Sequence, residues 1–264
     1  MNCNFTSCSN SEYTDESGGA ISYSVFNGNL IVTSCYFYKC IAYCQEGGGI
    51  DARTADYVMV SFSTFLECVA HAPPLASGGG GINLFNIQQH PYIRFCSFIS
   101  CATDDDGGGM SISQTAPANI LLCAGCRFIN GQSEQQENEY NWAGGLMLWD
   151  NYKALICTDS LFTSNKATYG GAYGTNYNVA FLDYPLRFCF FHKNKAMNGN
   201  DVAFRVVAPT NDTIFFLHCC STSDSKRVGY KENDIWYTAD FNWLPLGTLS
   251  CLNTWDGNND PKQN

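Results

Sequence analysis

Residues 98–110 read Phe-Ile-Ser-Cys-Ala-Thr-Asp-Asp-Asp-Gly-Gly-Gly-Met: a phenylalanine, a cysteine three positions later, then a glycine run and an apolar residue. Versions of this pattern occur seven times along the 264-residue chain. The phenylalanines are Phe5, Phe37, Phe65, Phe98, Phe128, Phe162 and Phe191, and the residues three positions later are Cys8, Cys40, Cys68, Cys101, Gly131, Asn165 and Asn194. A period of about thirty residues is typical of repeat proteins, in which each unit buries its apolar face against its neighbours.

The residues that precede each phenylalanine show which kind of repeat this is. In Leu30, Val32, Cys35 and Phe37 the apolar positions follow a period of two with one slip. A period of two predicts strands, the slip predicts a bend, and no window has sustained helical spacing. The sequence therefore predicts an all-β protein, a right-handed parallel β-helix (a solenoid) of about eight coils over residues 1–224. A non-repeating cap and tail are predicted over residues 225–264.

Equivalent residues of stacked coils lie about 4.8 Å apart, so a position that recurs in the sequence becomes a column in space. The phenylalanine column is expected to be an interior aromatic stack, offset or edge-on. At the third position after it, we expect asparagine to satisfy the backbone of a bend through its side-chain amide. Cysteine at the same position is expected to act as a small buried hydrophobe.

The fifteen cysteines have no spacing typical of a zinc site. Column stacking brings Cys3 beside Cys35 and Cys8 beside Cys40, at a separation that suits disulfides. The same cysteines also suit a core of reduced thiols, and the sequence leaves both alternatives open.

Three segments resemble the repeat of the polymorphic outer-membrane protein (Pmp) family: Phe162 to Asn165, Gly170 to Tyr173, and Phe191 to Asn194. The resemblance covers roughly residues 1–205, and the earlier repeats depart from it by having cysteine in place of asparagine. It implies a pectin-lyase-like β-helix of an adhesin-like surface protein, extracellular or at the cell surface. It assigns no catalytic residue. No signal peptide is visible after Met1, so we expect a piece of a larger protein.

The segments from phenylalanine to Gly-Gly vary in length, whereas the other half of each repeat is nearly constant, so the variable segments are predicted to be loops along one edge. In the first five loops the acids are Glu12, Asp15, Glu16, Glu46, Asp104, Asp105, Asp106, Glu134, Glu137 and Glu139, without any Lys or Arg. These ten acids equal the formal net charge of −10. The edge is therefore predicted to be solvated, to bind calcium at Asp104, Asp105 and Asp106, or to bind a basic partner.

The function that these features favour is a non-enzymatic interaction module that presents the acidic edge to calcium or to a cell-surface protein or glycan. The alternative is a β-helical polysaccharide lyase or glycoside hydrolase, which needs paired carboxylates, or acids close to an Arg or Lys. The negative charge argues against nucleic-acid binding, and no run approaches the ~20 apolar residues of a membrane span. Asn4 and Asn211 begin glycosylation sequons.

Overall fold

The chain folds into a parallel β-solenoid, in which successive turns stack their strands into continuous sheets. The structure is a computed structural model. It describes residues 3–10, 18–43, 46–71, 78–113, 120–133, 141–149, 154–175, 186–197, 199–204, 216–217, 219–221, 228–232 and 235–239. Within these residues every regular element is a strand, which confirms the predicted all-β class.

Short strands separated by bends make up each turn. The first three turns contain β1 (Asn4–Thr6), β2 (Ile21–Ser24), β3 (Asn29–Thr33), β4 (Tyr36–Tyr38), β5 (Ile41–Tyr43), β6 (Ile50–Arg53), β7 (Tyr57–Ser61), β8 (Thr64–Leu66) and β9 (Val69–His71). The middle turns contain β10 (Ile82–Phe85), β11 (Tyr92–Arg94), β12 (Ser97–Ile99), β13 (Ala102–Thr103), β14 (Met110–Ser113), β15 (Ile120–Ala124), β16 (Arg127–Ile129), β17 (Gln132–Ser133), β18 (Leu146–Leu148), β19 (Ala154–Thr158) and β20 (Leu161–Thr163). The last turns contain β21 (Tyr173–Thr175), β22 (Leu186–Arg187), β23 (Phe190–His192), β24 (Val202–Phe204), β25 (Phe216–Leu217), β26 (Cys220–Ser221), β27 (Val228–Glu232) and β28 (Ile235–Ala239).

These strands form four sheets that run along the solenoid. Sheet 1 has the order β1-β4-β8-β12-β16-β20-β23-β26, and sheet 2 has the order β2-β6-β10-β14-β18-β21-β24-β27-β28. Sheet 3 has the order β25-β22-β19-β15-β11-β7-β3, and sheet 4 has the order β17-β13-β9-β5. All pairings are parallel except that of β27 with β28, which ends the parallel order of sheet 2.

The complete turns number about five, slightly fewer than the eight coils predicted. The reason is that the later turns contribute fewer strands. Among the described residues beyond Ser133, sheet 4 continues only through single bridges at Lys166 and Lys195, although sheet 1 has eight strands. The seven phenylalanine marks therefore count the first seven strands of sheet 1, and not the turns in which all four sheets are present.

The core is built from columns of identical or similar side chains. Adjacent rings of the phenylalanine column lie 4.5 to 5.1 Å apart between centroids, with interplanar angles of 4° to 7°. Because this separation exceeds the ~3.5–4.0 Å at which carbon atoms are in contact, the parallel rings are offset and not edge-on. The rings from Phe37 to Phe191 are at most 1 % exposed.

At five of the seven bends, the side chain three positions after the phenylalanine donates to the carbonyl oxygen of the phenylalanine one turn earlier. Asn165 donates from Nδ2 to Phe128 at 2.9 Å, and Asn194 donates to Phe162 at 3.0 Å. The thiols of Cys40, Cys68 and Cys101 donate to the carbonyl oxygens of Phe5, Phe37 and Phe65 at 3.4 to 3.7 Å. Cysteine is therefore a weak replacement for the asparagine donor, and not only the small hydrophobe that was predicted.

Replacing Asn165 with alanine is predicted to lower the free energy of unfolding by about 2–4 kcal/mol, because two buried backbone groups lose a partner. These groups are the Gly131 N–H, which donates to Asn165 Oδ1 at 2.9 Å, and the Phe128 carbonyl. Asn165→Cys retains a donor to that carbonyl, so it is predicted to lower the free energy of unfolding by less than Asn165→Ala does. Urea denaturation followed by circular dichroism measures both variants. An alanine variant as stable as the original chain would contradict this role of the bend.

Candidate functional site

The predicted acidic edge is mostly buried in the part of it that the structure describes. Glu46, Asp105 and Asp106 are 7 %, 7 % and 1 % exposed, whereas the Asp104 side chain is 50 % exposed. The other six acids, Glu12, Asp15, Glu16, Glu134, Glu137 and Glu139, lie outside the described residues. The described loop acids therefore do not form a solvated, like-charged surface.

The three consecutive aspartates have different partners. Asp104 Oδ2 lies 2.8 Å from Nδ1 of His71, and the Trp142 N–H donates to Asp106 Oδ1. The hydroxyl of Ser133 donates to the backbone carbonyl of Asp105. Within the described ranges, no three His, Cys, Asp or Glu side chains are grouped so that they could hold a metal ion. Calcium at Asp104, Asp105 and Asp106 stays a prediction, without support from this arrangement.

A charged network lies on the outer face of sheet 2. Arg53 donates to Asp51 Oδ2 at 2.6 Å and to Glu46 Oε2 at 3.1 Å. The side-chain amide of Asn83, the neighbour of Asp51 in β10, donates to the same two carboxylates at 2.6 and 2.7 Å. Burial alone would lower the pKa of Arg53, but the charges of Asp51 and Glu46 outweigh it and raise the pKa.

The sequence interpretation missed this network because it separated the loops from the constant half of each repeat. Glu46 ends a loop, whereas Arg53 lies on β6, and the arginine side chain reaches back to the loop. Two carboxylates near a cation are groups that a lyase or a hydrolase would use. Here Asp51 is 1 % exposed and both carboxylates accept bonds from Arg53 and Asn83. The network therefore joins the end of the loop to the sheet.

The predicted disulfide partners are thiols in this structure. Twelve of the described cysteines are free thiols; Cys35 and Cys40 are buried, and Cys3 and Cys8 are half-buried. Burial and the adjacent Cys40 raise the pKa of Cys8. A hydrogen bond with Cys68 and burial raise the pKa of Cys40. Thiols with raised pKa values are protonated and unreactive at neutral pH.

An open cleft of about 620 Å³ lies on the outer face of sheet 3. We call it the Tyr57–Arg94 cleft; its lining is Tyr57, Met59, residues 88–90, Tyr92 and Arg94. Met59 and Ser61 of β7 pair with Tyr92 and Arg94 of β11, so two adjacent turns form its floor. None of the described lining residues is Asp or Glu.

The segment that forms one wall of the cleft is held to the preceding turn by its backbone. The N–H groups of Gln88 and Gln89 donate to the carbonyl oxygens of Ala55 and Asp56 at 3.0 and 2.8 Å. The side-chain amide of Gln89 also donates to Asp56 Oδ2 at 2.8 Å. Ile87, which directly precedes this segment, is fully buried in the core. The wall is therefore fixed before any ligand arrives.

Aromatic rings and one guanidinium form the chemical surface of the cleft. The rings of Tyr57 and Tyr92 lie 5.8 Å apart with a 51° tilt. The guanidinium of Arg94 lies 4.9 Å from the centroid of the Tyr92 ring. At the bend that follows, Phe95 is 55 % exposed and stacks at 5.1 Å on Phe62, which is 62 % exposed. An aromatic ridge thus adjoins the arginine.

No protein-family model matches the chain, and comparisons with curated proteins and with solved structures found no match either. Within the described residues, no helix has the length and apolar character needed to cross a membrane. Of the two predicted glycosylation sites, Asn4 is exposed on β1, whereas Asn211 lies outside the described residues.

The thiols of Cys68 and Cys101 are predicted to resist iodoacetamide in the native chain and to react completely after unfolding in the absence of a reductant. Both side chains are buried, and a hydrogen bond with Cys101 is the first cause of the raised pKa of Cys68. Peptide mass mapping of the two samples measures this, with the half-buried Cys3 as the faster-reacting control. Recovery of peptides that join Cys8 to Cys40, or Cys3 to Cys35, would contradict the thiol state.

Proposed function

We propose that this chain is a non-enzymatic, adhesin-like interaction module, displayed at a cell surface or secreted, that binds a glycan in the Tyr57–Arg94 cleft. The observation that carries the proposal is the combination of two tyrosine rings and a guanidinium on the floor of an open cleft. Sugars offer apolar ring faces and many hydroxyl groups. Tyrosine rings suit the faces, and amide, guanidinium and phenolic groups suit the hydroxyls.

The size and rigidity of the cleft support this ligand class. A volume of about 620 Å³ is within the ~300–1,000 Å³ typical of small-ligand sites. The floor consists of paired strands, and the wall at Gln88 and Gln89 is held by backbone hydrogen bonds. Binding therefore costs little ordering of the protein, which favours affinity for a flexible ligand such as an oligosaccharide.

This proposal moves the binding surface away from the acidic loops. Of the four described loop acids, Glu46, Asp105 and Asp106 are buried and Asp104 pairs with His71. A basic partner would find few free carboxylates on that part of the edge. The aromatic cleft on sheet 3, by contrast, is open.

The alternative function, a polysaccharide lyase or glycoside hydrolase, requires acid and base groups that face the bound sugar. The described lining of the cleft contains no carboxylate. The buried pair of Glu46 and Asp51 belongs to sheet 2, where Arg53 and Asn83 already bind it. We therefore propose binding without cleavage.

We expect the purified chain to bind at least one oligosaccharide on an immobilised panel of plant, microbial and mucin-type glycans. Tyr92→Ala should weaken that binding about five- to tenfold, the loss of roughly 1 kcal/mol of aromatic contact. Tyr36→Ala is the matched control, because Tyr36 is an exposed tyrosine on sheet 1. Binding to no glycan, or equal losses in both variants, would contradict the proposal. Release of new reducing ends from a bound glycan would instead favour the enzyme.

A further inference from the structure

We propose that the Tyr57–Arg94 cleft selects glycans that carry a carboxylate, and that Arg94 binds this carboxylate. The inference rests on the proposed glycan-binding function and adds the class of sugar to it. Three observations support it: the exposure of Arg94, its orientation on Tyr92, and the types of residue that surround it.

Arg94 is an exposed cation that takes part in none of the ion pairs within the described part of the chain. Those ion pairs use Lys39, Arg53 and His71. Although the chain has 24 Asp and Glu residues against 14 Lys and Arg residues, no described acid lies within ion-pair distance of the Arg94 guanidinium. Its donors form a planar fork, which matches the two oxygens of a carboxylate.

The contact with Tyr92 orients this fork. The guanidinium carbon lies 4.9 Å from the ring centroid, within the range of a cation–π contact. Stacking of this kind already restricts the long side chain in the free protein. Less conformational entropy is therefore lost when a ligand binds. Tyr92 and Arg94 are two residues apart on the same face of β11, about 6–7 Å along the strand. A sugar on the tyrosines therefore places its substituents near the guanidinium.

The surroundings of Arg94 favour an anionic group over a neutral one. Its partner in β7 is Ser61, and in β15 it is Ala124, both small and uncharged. Phe95 on the adjoining bend is an exposed apolar ring, which does not compete for the donors. The carboxylate of Asp56, on the turn that holds the wall segment, accepts a bond from Gln89. A ligand carboxylate is the complementary group that is missing.

The overall charge of the chain works against an anionic ligand only at a distance. The formal net charge is −10, but interactions between exposed charges fade beyond ~8 Å at physiological ionic strength. Among the described residues that line the cleft, Arg94 is the one Lys or Arg that a bound carboxylate would contact. The local pairing therefore outweighs the long-range repulsion, and affinity should depend on this one side chain.

The test uses trigalacturonate, a hyaluronan tetrasaccharide and 3′-sialyllactose, each beside its carboxyl-reduced counterpart, with binding measured by titration calorimetry. At least one acidic sugar is expected to bind tenfold or more tightly than its reduced form. Arg94→Gln should abolish this preference while weak binding of the reduced sugar persists, and Arg94→Lys should retain part of it. Arg127→Gln is the control, because Arg127 lies on sheet 1 and should leave the preference unchanged.

The outcomes separate this inference from the function on which it rests. Equal affinity for every acidic sugar and its reduced form would overturn carboxylate selection but leave glycan binding intact. A preference that survives in Arg94→Gln would also overturn it, because another residue would then bind the carboxylate. Failure to bind any glycan, acidic or neutral, would overturn the proposed function itself.

Discussion

The close approach of successive turns is the constraint on which the rest of this structure depends. Each inward phenylalanine lies 4.5 to 5.1 Å from the next, and at Phe65, Phe98 and Phe128 the glycine before the preceding strand of sheet 2 lies against the ring. A Cβ atom at Gly81 would be 2.7 Å from Cδ1 of Phe98 and 2.6 Å from the Gly109 carbonyl oxygen. The phenylalanine ring occupies the space that a side chain on the glycine would need. The two residues therefore recur together, and together they set the register of the other columns.

Most of the fold could be predicted from the sequence because this constraint repeats. The phenylalanine column, the parallel order and the bends all follow from spacing. The donor role of Cys101 had a signal, since Asn165 and Asn194 occupy equivalent positions. The network of Arg53 with Glu46 had no such signal in the sequence, because the arginine and the glutamate belong to different parts of the repeat. The cleft was missed because its wall, residues 86–90, is held by single backbone hydrogen bonds that leave no repeating pattern.

The outer faces of the sheets divide between stability and recognition. On sheet 2 several outward positions are buried, among them the carboxylate of Asp51 and the amide of Asn83. On sheet 3 the outward positions include Tyr57, Tyr92 and Arg94, which remain open to solvent. Inward columns are restricted by stacking, whereas outward side chains can change without loss of the fold. A rigid scaffold whose outward residues carry the chemistry is what an interaction module requires.

The most direct test of the stacking constraint is to compare urea unfolding of Gly81→Ala and Gly174→Ala. Neither glycine requires positive φ, but an added Cβ at Gly174 would meet its nearest atoms only at 3.1 to 3.3 Å. If the close approach of turns sets the fold, Gly81→Ala should lose about 1–3 kcal/mol or more of unfolding free energy through overpacking, and Gly174→Ala much less. Equal stability of the two variants would contradict the account, because the turns would then have room to separate.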